Sequence, residues 1–257
     1  MTTRPIVLCI TFTLTAAVTL IGATSCSQPD INCTSAHGRY AAEYTLVEGD
    51  PASACGQLPG DVLGMQTYFQ EGGARGTPDY ENAKLAIRPE SLGTMIAYAE
   101  ARGVISGDET FYAANALGSF TAGFPDDEGF CMAEQFEPAQ VTLPDIPEIP
   151  DDLTTPEVDE TQRAQPAIAV EYRWSNARFV VTADAQGTQF EADLDYRRDG
   201  CTAKYHVVGL YPVVACESDA DCDDPRSGIN PDFAVRCHGE LNLCVLDAEL
   251  PAYEESR

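Results

Sequence analysis

The chain has 257 residues, with 41 acidic side chains against 15 basic ones and a formal net charge of −26. That balance argues against nucleic-acid binding, which draws much of its affinity from Lys and Arg neutralising phosphates. It argues equally against docking on an anionic lipid surface through side chains.

Residues 1–25 read as a secretory signal. Arg4 gives a short positive start, and Ile6 to Ile21 is an uncharged apolar stretch. It is short for a bilayer span, which needs about 20 apolar residues. Ala23, Thr24 and Ser25 then precede Cys26. Small residues there suit an ordinary signal peptidase. They also resemble the bacterial lipobox, whose cysteine is acylated and becomes the new N-terminus; the usual lipobox has Leu, Val or Ile where Ala23 stands. Cysteine counting favours the lipid. Ten cysteines are present, and Cys9 leaves with the signal. With Cys26 acylated, eight remain and all can pair, as expected in an oxidising compartment. These are Cys33, Cys55, Cys131, Cys201, Cys216, Cys222, Cys237 and Cys244. Ser27 follows, not the Asp associated with inner-membrane retention, so the lipobox resemblance implies sorting to the outer membrane.

Residues 26–32 form a short polar tether, and 33–215 the expected β domain. Strand signals run through 38–50, 59–73 and 83–89, where Met65, Thr67 and Phe69, or Leu85 and Ile87, fall on alternate positions. Residues 89–103 are the clearest helix. Leu92, Met95, Ile96 and Ala99 make one face, and Gly103 stops it. Residues 114–124 and 129–136 flank the polar stretch PDDE and suggest a hairpin. Residues 143–166 are an acidic, Pro-rich loop or linker. Pro144, Pro147 and Pro150 recur every third residue, the period of a polyproline II helix.

Beyond it the pattern is β. Segments 167–175, 177–185, 188–197 and 202–216 predict a four-stranded antiparallel meander. Turns are expected at Ser175–Asn176, Gln186–Gly187 and Asp199–Gly200. In the third segment Phe190, Ala192, Leu194 and Tyr196 alternate with Glu191, Asp193, Asp195 and Arg197, the mark of a half-buried strand. Residues 216–257 read as a small cysteine-rich module. Of its three possible connectivities, the interleaved Cys216–Cys237 and Cys222–Cys244 is expected. Cys33–Cys55 and Cys131–Cys201 would complete the set. The fold class is thus mainly β: an antiparallel sandwich or partly closed barrel, one short helix, and a disulfide-rich C-terminal module.

Candidate chemistry is sparse. Asp219, Asp221 and Asp223 place three carboxylates on alternate residues, as a hard cation would want. An EF-hand loop, however, needs Gly where Asp224 stands and Glu where Asn230 stands. A solvated acidic turn is the expectation, with these three the only weak metal candidates. The cysteine spacings lack the close pair of a zinc site. His37, His206 and His238 are the only histidines, and neither G-x-S-x-G nor H-E-x-x-H occurs. No catalytic residue and no cofactor are expected.

The signal ending at Cys26, ACGQLPGDVLGMQTY (54–68), GFPDDEGFC (123–131), CESDADC (216–222) and RCHGELNLC (236–244) together resemble secreted lipoproteins of myxobacteria. The resemblance implies an envelope location and carries no known activity. The expected role is binding or structural, with the membrane reached through a lipid anchor and an unspecified protein or glycan as partner. The alternatives are an exported hydrolase using carboxylates, and a barrel holding a small apolar ligand.

Overall fold

The computed structural model describes residues 31–257, apart from 74–75, 107, 151–153, 155–162 and 255–257. The signal segment and Cys26 lie outside the described residues. In chain order come β1 (Gly38–Gly49), β2 (Gly60–Glu71), β3 (Pro78–Pro89), α1 (Glu90–Ala101), α2 (Asp108–Ala113), β4 (Ala116–Ser119), β5 (Phe130–Glu137) and β6 (Ala139–Leu143). After the Pro-rich stretch follow β7 (Ile168–Val181), β8 (Gln186–Arg198), β9 (Cys201–Leu210), α3 (Asp219–Cys222), β10 (Val235–His238) and β11 (Leu243–Leu246).

Nine strands form one antiparallel sheet in the order β5-β4-β3-β2-β1-β9-β8-β7-β6, and β5 pairs a second time, with β7. The sheet therefore closes on itself as a partly ringed barrel. The wall is uneven. β7 and β8 are in register over most of their length, whereas β4 meets β5 only at Leu117↔Glu137 and Gly118↔Phe136.

Strand alternation fills the interior. Tyr40 and Tyr44 from β1, Leu63 and Met65 from β2, Leu85 and Ile87 from β3, and Tyr172 and Trp174 from β7 are all buried in one core. So are Phe190, Leu194 and Tyr196 from β8 and Tyr205 from β9. Each fully buried Phe stabilises by roughly 1.5–3 kcal/mol. The Phe190 ring packs against its cross-strand neighbour Gly209, where an added Cβ would come within 1.9 Å of it.

α1 follows β3 directly. Leu92, Ile96 and Ala99 turn its buried face onto β2, β3 and β6. The helix ends in a Schellman motif. Gly103 adopts φ +65, its N–H donates to Glu100 O, and Val104 N–H donates to Ala99 O. Two further short helices, α2 and α3, join the one expected from sequence.

Two expectations are corrected. The first two segments of the meander are one strand, β7, because Ser175–Asn176 is not a hairpin. Asn176 takes a left-handed φ of 51° and shifts the register between Ser175 and Arg178, a bulge inside a continuous strand. The expected tight turn at Asp199–Gly200 is present, with positive φ at both residues as a type I′ turn demands, whereas Gln186–Gly187 lies inside β8 and the β7–β8 connection falls on residues 182–185. The long-range disulfides also differ: Cys33 joins Cys131 and Cys55 joins Cys201. The twelve residues of β1 separate Cys33 from Cys55 by about 40 Å of extended chain. A disulfide needs Cα atoms within about 7 Å. Because β1 pairs with β9, the β1–β2 loop carrying Cys55 reaches the start of β9, where Cys201 stands.

In the C-terminal segment Cys216 joins Cys237 and Cys222 joins Cys244. A second core seats this segment on the barrel: Phe130, Val180 and Leu210 of the wall meet Ile229, Phe233, Leu246 and Ala252. Gln189, fully buried, fastens the contact with both ends of its amide. Nε2 donates to Ala252 O at 3.1 Å, and Oε1 accepts from Ala252 N at 2.8 Å. In the Pro-rich stretch, Ile146 is buried and exchanges both backbone hydrogen bonds with Gln165, which ties the described ends of the loop together.

Candidate functional site

Asp61 shares strand parity with Leu63 and Met65 and stands at the barrel end beneath α1. Its Oδ2 accepts from Ser91 Oγ at 2.5 Å and from Ser91 N at 3.4 Å, and its Oδ1 accepts from Val62 N at 2.7 Å. This supplies a cap that Pro89, at the N-cap of α1, has no side chain to give. Ser91 Oγ lies 2.9 Å from Tyr172 OH. Tyr44, Trp174, Tyr196 and Tyr205 complete an aromatic cage, with ring centroids 4.9–6.4 Å apart along the chain of contacts. Burial drives the Asp61 carboxyl up to about 6, against the pull of the Ser91 and Val62 hydrogen bonds, and nearby Glu90 adds to the rise. The Tyr44 hydroxyl, in the same cage, is held well above its usual range, first by burial and then by Asp61. Tyr44 OH and Trp174 Nε1 are buried with no hydrogen-bond partner among the described residues.

The cage closes the barrel end: Asp61 caps α1 and is tied through Ser91 to Tyr172. A serine nucleophile needs an adjacent base such as His. His206 lies on the outer face, 4.0 Å from Glu191 and from Asp193. His238 lies 3.6 Å from Glu43, whose carboxylate also holds Arg236 at 2.6 Å and so joins β1 to β10. Among the described residues, the interior is filled by large side chains, Trp174, Tyr40, Tyr196, Tyr205, Phe179 and Phe190.

The three candidate metal ligands are employed otherwise or stand apart. Asp219 Oδ1 accepts from Cys237 N at 2.8 Å, and Asp221 forms a capping box with Ser218 on α3. Asp223 is the C-cap of the same helix. Among the described residues, the potential ligand atoms that do cluster are the sulfurs of Cys216, Cys222 and Cys244, all of them in disulfides.

The outer face of β1–β4 is more promising. Lys84 lies between Tyr68 and Ser119 in one cross-strand row, Ala86 between Gln66 and Leu117 in the next. A third row sets Arg39, Gly64 and Arg88 side by side on β1, β2 and β3. Phe111 of α2 stacks on the Arg88 guanidinium at 3.9 Å. Tyr68, Phe111 and Leu117 are 50%, 44% and 42% exposed, large for apolar side chains on a folded wall. A groove of about 320 Å³ opens over Gly64 and Gly93, between the two arginines.

The MlpA family profile matches residues 38–212, about two-thirds of the chain and the whole barrel from β1 to β9. The chain belongs to the MlpA family. A protein of Myxococcus xanthus, MlpA, described as a candidate lipoprotein, is 29% identical over 260 residues, covering 93% of this chain and 97% of its own length. No solved structure matches. The family match thus coincides with the closed sheet, and α3, β10 and β11 lie outside it.

Sequence reasoning missed both the cage and the arginine row of this MlpA-family barrel. Asp61 was within reach, because it sits at an inward position of the strand carrying Leu63 and Met65. The row of Arg39, Gly64 and Arg88 is a product of register, and no local pattern signals it.

Proposed function

We propose that this chain is an envelope lipoprotein, acylated at Cys26, sorted to the outer membrane, and acting as a binding protein through the outside of its barrel. The anchor reading is supported by the family relationship and by cysteine pairing: every cysteine among the described residues has a disulfide partner within that set, leaving none for Cys26. The binding reading is supported by the packed interior, which leaves the wall as the working surface. Tyr68, Leu117 and Phe111 mark its β2–β4 side.

Metabolic labelling with a clickable palmitate analogue, followed by fractionation, tests the anchor. Cys26→Ser is expected to abolish the label and move the protein from the membrane to the soluble fraction; unchanged labelling refutes it. In-cell crosslinking tests the surface. Leu117→Asp is expected to remove crosslinked species that Ile149→Asp, at another exposed apolar position, retains. Identical patterns from the two variants would dismiss the β2–β4 face.

A further inference from the structure

Among the outer-face features, the arginine row combines the most independent observations. The first is the pair of glycines. Gly64 sits mid-strand without a positive φ, and a Cβ there would meet nothing nearer than Arg88 O at 3.7 Å. Neither backbone nor packing requires glycine, which weakens a strand. Gly93 sits inside α1, where glycine costs about 1 kcal/mol relative to alanine. A Cβ there would press on the Arg88 guanidinium, at 3.3 and 3.4 Å. Both residues run against local propensity, and both keep the same groove open.

The second observation is Arg88 itself. In a chain with 41 acids it makes no salt bridge among the described residues, and Glu100 acts on it only from a longer distance. Phe111 covers one face of its guanidinium, and burial holds its pKa below the usual value. Across Gly64, Arg39 gives Nε and one NH2 contact to Glu90 and keeps its remaining donors. The two arginines are separated by two strand spacings, about 10 Å at the backbone, and long side chains can converge over the glycine floor.

We propose that Arg39 and Arg88 form a two-armed site for the phosphoryl group of a small soluble ligand, seated over Gly64 and Gly93. The open fork of Arg88 and the donors that Arg39 keeps beside Glu90 suit a group with three or more acceptor oxygens better than a carboxylate, which one fork satisfies. The groove accommodates a phosphate and a few carbons, with Thr94 and Ala97 on its helical wall and Glu90, paired to Arg39, at its edge. A soluble source is favoured over an anionic bilayer, which would repel a chain of this net charge. The inference rests on the outer-face binding reading and gives it a site and a ligand class.

The test is calorimetric titration of the full chain with inorganic phosphate and with glycerol phosphate, at constant ionic strength. Saturable binding is expected, weakened about tenfold or more by Arg88→Gln through the loss of a charge-assisted hydrogen bond. Gly64→Val should fold normally, since its side chain enters open space, and should also lose binding. Arg226→Gln, on an exposed arginine paired with Asp224, should bind as the parent does. Absence of saturable binding, or undiminished binding by Arg88→Gln, overturns the proposal. Arg88-dependent sedimentation with phosphatidylglycerol vesicles, without binding of either soluble phosphate, overturns it too. None of these readouts involves Cys26 or the crosslinking at Leu117, so a failure here is distinguishable from failure of the anchor or of the face.

Discussion

Replacing Cys55 and Cys201 together by alanine is expected to lower the unfolding free energy by about 5 kcal/mol, against about 3 kcal/mol for the Cys216 and Cys237 pair. A disulfide stabilises mainly by restricting the unfolded chain, so the effect grows with the loop it closes. The first pair spans 146 residues and the second 21. Each double variant removes both partners and leaves no free thiol. Urea unfolding of the two variants and the parent measures the difference. The larger loss has a structural companion. The carbonyl of Cys55 accepts from Tyr205 OH, and Tyr205 OH in turn accepts from Leu58 N at 3.2 Å, so slackening of this loop also loosens a core tyrosine. Equal losses from the two pairs would mean that native-state strain, not chain restriction, sets the contribution.

Asp61→Asn is expected to stabilise the protein at neutral pH. The Asp61 carboxyl titrates near 6 in the folded barrel and near its ordinary 3.8 when unfolded, because burial penalises the charged form. The folded state therefore binds the proton more tightly between those values. Its stabilising contribution is complete below about pH 4 and is lost as pH rises through about 6. The full difference corresponds to roughly 3 kcal/mol. Asparagine keeps an oxygen for the Ser91 bonds and carries no charge, but its amide nitrogen cannot accept from Val62 N as Oδ1 does. The variant's stability relative to the parent should rise by up to roughly 3 kcal/mol between pH 4 and pH 7.5, less at any one pH by the lost Val62 bond. Because the chain holds many other carboxylates, the informative quantity is the difference between variant and parent across pH. Parallel curves from pH 4 to 8 would show that the site is better hydrated than its surroundings imply.

Sequence carried the element types far and their arrangement less well. The alternation of Phe190, Ala192, Leu194 and Tyr196 against charged neighbours marks β8 directly, because one wall of the sheet is wet and the other dry. The periodicity of Leu92, Ile96 and Ala99 marks α1 in the same way. What local pattern could not carry was the ring. That β1 lies against β9 is a pairing of residues more than 150 positions apart, and it decides the Cys55–Cys201 bridge. Asn176 misled for a related reason: a left-handed residue between two apolar runs has the same local signature in a hairpin and in a bulge. The arginine groove depends on three strands in register, so it is visible only once the sheet is assembled.

The short β4 has a consequence for how the molecule breathes. A ring of strands parts first where fewest backbone bonds hold it, and here that place is the two-residue contact between Leu117–Gly118 and Phe136–Glu137. Amide protons along this seam should exchange with solvent ahead of those in β7–β9. The barrel then unzips from the flank that carries Leu117, and a transient opening there would bare strand edges to any neighbouring chain.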